Sequence, residues 1–205
     1  MVRGMKRLLL MTIVVAALLA APTASAEGTV TLVLQGGSGI DYFDVELSSD
    51  GRTYEIESNA SLEVGAGICW HPEGAMAKLS CEAPRISGFE LNGAGGSDTL
   101  TVGRRVAVPA TLRGGPGDDT VSGGNAADRL MGGGGSDVIN GGGGPDIVFG
   151  GTGNDIVFGK AGNDVLSGGF GNDKLLGGSG DDTLIGGPGT DICNGGPGNN
   201  VVEPE

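Results

Sequence analysis

Ten consecutive nine-residue units run without a gap from Gly114 to Glu203. The first unit reads GGPGDDTVS and the seventh reads GGFGNDKLL. Glycine occupies the first position of all ten units, and it occupies the second and fourth positions of nine. The sixth position is Asp in nine units and Asn200 in the last, and the eighth is aliphatic or Cys193. A match over ten successive registers predicts a repeat architecture.

Each unit combines a turn with a very short strand. Glycines at positions one, two and four allow positive φ angles and close approach of neighbouring chain, which makes the first six residues a turn. The last three residues form a strand whose middle side chain faces inward. One unit can bury nothing alone, but two make a flattened coil of 18 residues, and stacked coils give a parallel sheet on each side. We therefore predict an all-β fold, a parallel β-roll (β-solenoid) with 18 residues per coil.

The coil length places the repeat aspartates in two stacks, because residues 18 apart lie on the same edge. Carboxylates at strand spacing repel one another unless a hard cation neutralises them. Calcium suits such a site best, since it takes six to eight oxygens at about 2.3 to 2.6 Å and tolerates irregular geometry, whereas magnesium requires a tighter octahedron. Zinc is disfavoured because His and Cys ligands are lacking. The spacing thus predicts bound Ca²⁺.

The units resemble the hemolysin-type calcium-binding repeats, also called RTX repeats, whose pattern is GGxGxDxUx with U a large aliphatic residue. The resemblance covers Gly114 to Glu203. It implies a β-roll in which the Asp side chain and the turn carbonyls of each unit bind calcium and the last three residues form the strand. The metal ligands it implies are Asp119, Asp128, Asp137, Asp146, Asp155, Asp164, Asp173, Asp182 and Asp191.

Three residues depart from the repeat pattern. Ala126 and Lys160 replace turn glycines, near Asp128 and Asp164 respectively. Either substitution is expected to distort its turn, with the alternative that Lys160 simply points to solvent. Asn200 keeps an oxygen but loses the charge, so its pair with Asp182 should bind calcium weakly.

The chain divides into four segments by composition. Residues 1–26 have a basic start, an apolar run and Ala24-Ser25-Ala26, which together predict a secretory signal peptide. The apolar run is too short to span a membrane comfortably, so a stable membrane span is not expected. Residues 27–92 are predicted to form a β-rich N-terminal cap, residues 93–113 a degenerate repeat and transition, and residues 114–203 the calcium-binding roll.

Two aspartates and two cysteines upstream of the repeats carry weaker signals. Asp98 lies in a degenerate unit and Asp41 in an isolated one, and the sequence leaves open whether either holds metal. Cys69 and Cys81 bracket a short segment, where a disulfide would add about 3 kcal/mol in an oxidising compartment. Cys193 stands at an inward position and is read as a buried free thiol.

The charge of the chain limits its partners. The formal net charge is −13, and it becomes −16 when residues 1–26 are removed, because they hold three basic and no acidic residues. Nucleic acid is therefore not expected as a partner, since no basic stripe is present. Outward positions of the repeats are partly apolar, which leaves two interpretations, an ordinary surface or a face for self-association or another partner. These residues are Ile147, Phe149, Ile156, Phe158, Val165, Leu176 and Ile185.

The sequence favours a secreted calcium-binding repeat protein, without catalytic activity, that folds on binding Ca²⁺ and has a structural or interaction role. His71 is the one histidine of the chain, which removes most hydrolytic arrangements. The alternative is a calcium-stabilised module that supports an extracellular hydrolase or polysaccharide-modifying activity, with His71, Glu73 or Glu90 in its site.

Overall fold

The computed structural model describes residues 30–39, 41–58, 69–70, 78–83 and 86–203. The predicted signal segment 1–26 and His71 lie outside these residues. Strands dominate the described part of the chain, in which no helix is long and apolar enough to cross a membrane.

The strands alternate between two facing sheets, so that the chain winds as a parallel roll. The first sheet contains, in spatial order, β1 (Val30–Gln35), β6 (Ile86–Asn92), β8 (Ala110–Pro116), β10 (Arg129–Gly134), β12 (Ile147–Thr152), β14 (Val165–Phe170), β16 (Thr183–Ile185) and β18 (Val201–Glu203). The second contains β17 (Ile192–Asn194), β15 (Lys174–Ser179), β13 (Ile156–Ala161), β11 (Val138–Gly143), β9 (Thr120–Ser122), β7 (Thr99–Val102), β2 (Tyr42–Leu47), β3 (Thr53–Ser58), β5 (Lys78–Glu82) and β4 (Cys69–Trp70).

The register of the repeats confirms the predicted coil of 18 residues. Val148 of β12 pairs with Leu130 of β10 on one side and with Leu166 of β14 on the other. In the second sheet, Val157 of β13 lies between Ile139 and Leu175. All these pairs are parallel, and each joins residues 18 apart.

The predicted eighth-position side chains fill a thin core. They are fully buried from Val121 to Leu184. The last coil is more open, because Cys193 is only partly buried and Val202 is 40% exposed. Cys193 is a free thiol, as predicted, but it is less buried than the sequence suggested.

The N-terminal region is β-rich, as predicted, and it continues the roll. Strand β1 pairs in parallel with β6, and β2 pairs in parallel with β7, so these four strands form two further coils. Strands β3, β5 and β4 add an antiparallel extension to the edge of β2. Cys81 of β5 is disulfide-bonded and lies opposite Cys69 in the strand pair, in agreement with the predicted bridge.

Several outward side chains of the repeats remain solvent-exposed. Ile147 and Val165 are paired neighbours on the first sheet, with 39% and 40% of their surfaces exposed. The guanidinium of Arg129 lies 5.0 Å from the Phe149 ring centroid, and the ammonium of Lys160 lies 4.5 Å from that of Phe158. A contact face for a second copy or another partner stays a prediction.

Candidate metal centre

Two columns of acidic side chains follow the two edges of the roll. The first column lies where the chain passes from the first sheet to the second and contains Asp41, Asp98, Asp119, Asp137, Asp155, Asp173 and Asp191. The second column lies at the opposite edge and contains Asp128, Asp146, Asp164, Asp182 and Asn200. The stacking predicted from the sequence is therefore present, and the first column extends two coils further upstream.

One carboxylate oxygen of each aspartate ties its coil to the coil before it. The backbone N–H of Asp119 donates to Oδ1 of Asp137 at 2.8 Å, and the N–H of Asp137 donates to Oδ1 of Asp155 at the same distance. The second column repeats the contact, with 2.9 Å from the N–H of Asp146 to Oδ1 of Asp164. These hydrogen bonds fix the side-chain rotamers and aim the other oxygen, Oδ2, into the turn.

The Oδ2 atoms are buried without a partner. Among the described residues, nine aspartates have an Oδ2 that is shielded from solvent and accepts no hydrogen bond. They are Asp98, Asp119, Asp137, Asp146, Asp155, Asp164, Asp173, Asp182 and Asp191. A buried carboxylate oxygen with no partner is costly, because it has lost its hydration and gained nothing in return. Nine such atoms in register indicate a missing cationic partner.

The first glycine of each turn leaves the space in front of Oδ2. A methyl group built on Gly114 would lie 2.7 Å from the carbonyl oxygen of Gly132 in the next coil and closer still to Oδ2 of Asp119. The same relation holds at Gly141, where Oδ2 of Asp146 and the carbonyl oxygen of Gly159 border the space. Carboxylate and carbonyl oxygens from adjacent coils therefore face one point, as a hard cation requires.

The second and fourth turn residues give the loop its shape. Both have positive φ in every turn that carries an unpartnered Oδ2; Gly115 and Gly117, for example, have φ of 116° and 134°. Lys160 adopts φ of 83° at a second position, its side chain is exposed, and Oδ2 of Asp164 keeps the common arrangement. Of the two expectations for Lys160, the solvent-directed side chain is the one observed.

Two turns are closed by an internal hydrogen bond. The N–H of Gly124 donates to Oδ2 of Asp128 at 2.8 Å, and the N–H of Gly37 donates to Oδ2 of Asp41 at 2.7 Å. In the first of these turns, neither Gly124 nor Ala126 has the positive φ found elsewhere. We call these two the closed turns and the others the open turns. The expected distortion beside Ala126 is therefore present.

Asn200 also differs from the aspartates. Its Oδ1 accepts the N–H of Asp182 at 2.8 Å, as an aspartate would. Its Nδ2 donates to the carbonyl of Gly196 at 2.9 Å, so this turn presents a donor where the open turns present an oxygen. The amide thus completes the stack without offering a second anionic ligand.

Burial raises the pKa of the column carboxyl groups. It raises the pKa of Asp137 to about 7, opposed by the Asp119 N–H and assisted by the nearby Asp155 and Asp119 carboxylates. The pKa of Asp146 is likewise raised to about 7, mainly by burial. In the absence of metal, therefore, the roll disfavours the charged form of its own aspartates.

An outer ladder of hydrogen bonds runs beside the aspartate columns, and the sequence reasoning missed it. The side-chain oxygen of Asn154 accepts the N–H of Asn172, and that of Asn172 accepts the N–H of Thr190, at 2.8 and 2.9 Å. Asn163 and Asp181 act in the same way at the opposite edge. The frequent Asn or Asp at position five was the available signal.

The residues suggested for a catalytic site are not brought together in the described part of the chain. Glu90 forms an ion pair with Arg113 at 2.5 Å on the outer side of the first sheet. His71 and Glu73 lie outside the described residues.

The fold and the turns define a β-roll repeat protein whose candidate ligands are oxygen atoms. The family model of the RTX calcium-binding nonapeptide repeat matches in four copies, at residues 111–139, 131–166, 140–175 and 167–202. Residues 111–202 are therefore RTX calcium-binding repeats, as the sequence pattern predicted. No curated protein matches the chain.

The residues present fit calcium. No three acidic, His or Cys side chains converge on one point within the described ranges. Carboxylate Oδ2 and glycine carbonyl oxygens from adjacent coils do converge, and an oxygen-rich shell assembled from several segments suits Ca²⁺. The chain is a calcium-binding structural repeat protein.

Proposed function

We propose that the protein is secreted, that it has no catalytic activity, and that its roll folds when the open turns bind Ca²⁺ outside the cell. The observation that carries the proposal is the series of nine buried Oδ2 atoms that accept no hydrogen bond from the described residues. The role that follows is structural, as a calcium-dependent support or interaction surface.

Burial of the carboxylates gives calcium its effect on folding. Eight aspartates of the open turns are only 1–2% exposed, among them Asp98, Asp137 and Asp155. Burying an unpaired charge opposes folding, and the entropy of ordering many glycines opposes it further. Calcium bound to the folded turns removes the first penalty, so its binding free energy contributes directly to folding.

The sequence and one covalent bond support secretion. Residues 1–26 have the pattern of a secretory signal. Cys81 is disulfide-bonded, which fits an oxidising compartment. Calcium is abundant outside cells, where sites with dissociation constants of about 10⁻⁴ to 10⁻³ M are occupied.

A calcium titration tests the proposal. We expect a cooperative gain of β signal in far-ultraviolet circular dichroism on adding CaCl₂ to the purified protein, and no such gain with MgCl₂. Asp155→Asn should raise the calcium midpoint, because it removes one of the unpartnered oxygens. Asp118→Asn is the matched control, since it makes the same charge change at an exposed residue of the outer ladder.

A β signal that is unchanged by calcium would overturn the proposal. Equal effects of Asp155→Asn and Asp118→Asn would show that net charge, rather than the buried Oδ2, sets the calcium response. Secretion is tested separately, by N-terminal sequencing of protein recovered from the medium, where a start at Glu27 is expected.

A further inference from the structure

We propose that the turn ending at Asp98 is a calcium site, although it lies upstream of the matched repeats, and that the turn ending at Asp128, inside them, is not. The inference rests on the proposed calcium-dependent function and specifies which turns perform it. The family match begins at residue 111, so it includes Asp128 and leaves Asp98 out.

Asp98 has the same contacts as the repeat aspartates. It is 1% exposed, and its Oδ1 accepts the N–H of Asp41 at 2.7 Å. Its own N–H donates to Oδ1 of Asp119 at 2.7 Å. Its Oδ2 is buried and accepts no hydrogen bond from the described residues. An unpartnered anionic oxygen is therefore aimed into this turn.

The turn also supplies the second oxygen. A methyl group built on Gly93 would lie 2.7 Å from the carbonyl oxygen of Gly114 and closer still to Oδ2 of Asp98. Gly114 bears the same relation to Gly132 and Asp119 one coil later, with the same 2.7 Å. The two spaces are therefore lined by equivalent oxygens.

The backbone of the Asp98 turn follows the open form even without the consensus residue. Gly96 has φ of 126° at the fourth position, and Ala94 has φ of 76° at the second. Ala94 and Lys160 are the two non-glycine residues of the described chain with positive φ. Stacking against the next open turn imposes on alanine a conformation that glycine normally supplies.

The Asp128 turn has lost the unpartnered oxygen. Its Oδ2 accepts the Gly124 N–H, and its Oδ1 accepts the Ala110 N–H at 2.8 Å. The preceding passage at this edge is the segment 103–109, which has no glycine-rich acidic turn, and the carbonyl of Val106 accepts the Asn125 N–H. Both carboxylate oxygens of Asp128 are thus satisfied by the backbone, and this residue ends the second column as a structural cap.

Counting bound calcium ions in matched variants tests the inference. The measurement is equilibrium dialysis of the purified protein against saturating CaCl₂, with calcium per protein chain determined by inductively coupled plasma mass spectrometry. The variants are Asp98→Asn, Asp119→Asn and Asp128→Asn. We expect the first two to lose one ion each relative to the unsubstituted protein, and Asp128→Asn to retain the full number.

Circular dichroism in calcium monitors whether each variant is folded. Asparagine at 128 places a donor against the Gly124 N–H, so Asp128→Ser, whose hydroxyl can accept that N–H, serves as a second variant. An unchanged ion count in Asp98→Asn, or loss of an ion in a folded variant at 128, would overturn the inference. Absence of calcium from the unsubstituted protein would instead refute the proposed function, so the two failures are distinguishable.

Discussion

The N-terminal coils and the repeats bury different kinds of side chain. Around β1 to β6 the core contains Phe43, Phe89 and Tyr54, and the last two rings form an edge-to-face pair with centroids 4.9 Å apart. In the repeats each strand contributes one aliphatic residue, and the buried remainder is largely carboxylate and glycine. The first region has a conventional apolar core, whereas the second contains buried charge that requires a cation. Metal dependence should therefore increase along the chain.

Removing calcium should separate the two regions most strongly. We expect amides of residues 114–203 to lose hydrogen-exchange protection in EDTA, while those of β1, β2 and β6 keep most of theirs. Each independent site held at a calcium concentration 100 times its dissociation constant adds about 2.7 kcal/mol, and several sites act together in the repeats. Hydrogen exchange followed by mass spectrometry measures this, and equal loss in both regions would contradict it.

Truncating the aromatic core should damage the N-terminal coils whether or not calcium is present. Phe89→Ala is expected to cost about 3 to 5 kcal/mol, because it opens a cavity beside Tyr54. Urea unfolding with and without calcium measures the loss, with exposed Phe170→Ala as the control. A loss seen in calcium alone would show that the N-terminal coils also depend on the metal.

Filling one open turn should destabilise the repeats. A methyl group on Gly153 would overlap the carbonyl oxygen of Gly135, and φ there is 123°. We expect Gly153→Ala to cost about 3 kcal/mol in thermal unfolding with calcium. Gly39→Ala is the matched control, since it changes the fourth residue of a closed turn with no atom within 4 Å. Similar losses in both variants would remove the distinction between open and closed turns.

The pH response should change sign with calcium. Burial raises the pKa of Asp119 and Asp155 to about 6 and that of Asp137 to about 7, so the calcium-free fold binds more protons than the unfolded chain, whose aspartates titrate near 3.8. Stability of the calcium-free protein should thus fall as pH rises from about 4 to 7. With saturating calcium it should fall as pH decreases, because protons compete for the ligands. Thermal melts at pH 5 and 7 in EDTA and in CaCl₂ test both directions.

The smallest effect concerns two alanines in turns. Ala94→Gly should stabilise the protein by about 1 kcal/mol, because φ of 76° is unfavourable for alanine. Ala126→Gly should instead destabilise it by about 0.5 kcal/mol, since Ala126 has no positive φ and glycine adds backbone entropy to the unfolded chain. Chemical denaturation in calcium distinguishes the signs, and stabilisation by both substitutions would contradict the assignment of the closed turn.

The repeat pattern was sufficient to predict the roll, its coil length and its inward side chains. Periodicity states which residues lie 18 apart, and the register follows from that number. It does not locate Asp98 and Asp41 in the first column, because loops and an antiparallel extension separate them from the regular units. Asp41 and Asp98 are 57 residues apart in sequence, and Asp98 and Asp119 are 21 apart.

The closed turns were also beyond sequence reasoning. Asp128 stands in a unit with one substituted glycine, as Asp164 does, yet only Asp128 has its Oδ2 satisfied by the backbone. The difference comes from what precedes each turn on the same edge. Asp164 stacks below another open turn, whereas Asp128 follows the segment 103–109. A pattern within nine residues does not contain that information.

The links between coils have a direction. Oδ1 of each aspartate reaches back to the preceding coil, and the carbonyl oxygen facing each Oδ2 comes from the coil that follows, as Gly132 does for Asp119. A turn is thus completed by chain that is made 18 residues later. For a polypeptide that emerges from its N-terminus, each turn stays incomplete until the next coil arrives, so the roll closes one step behind the growing or translocating chain.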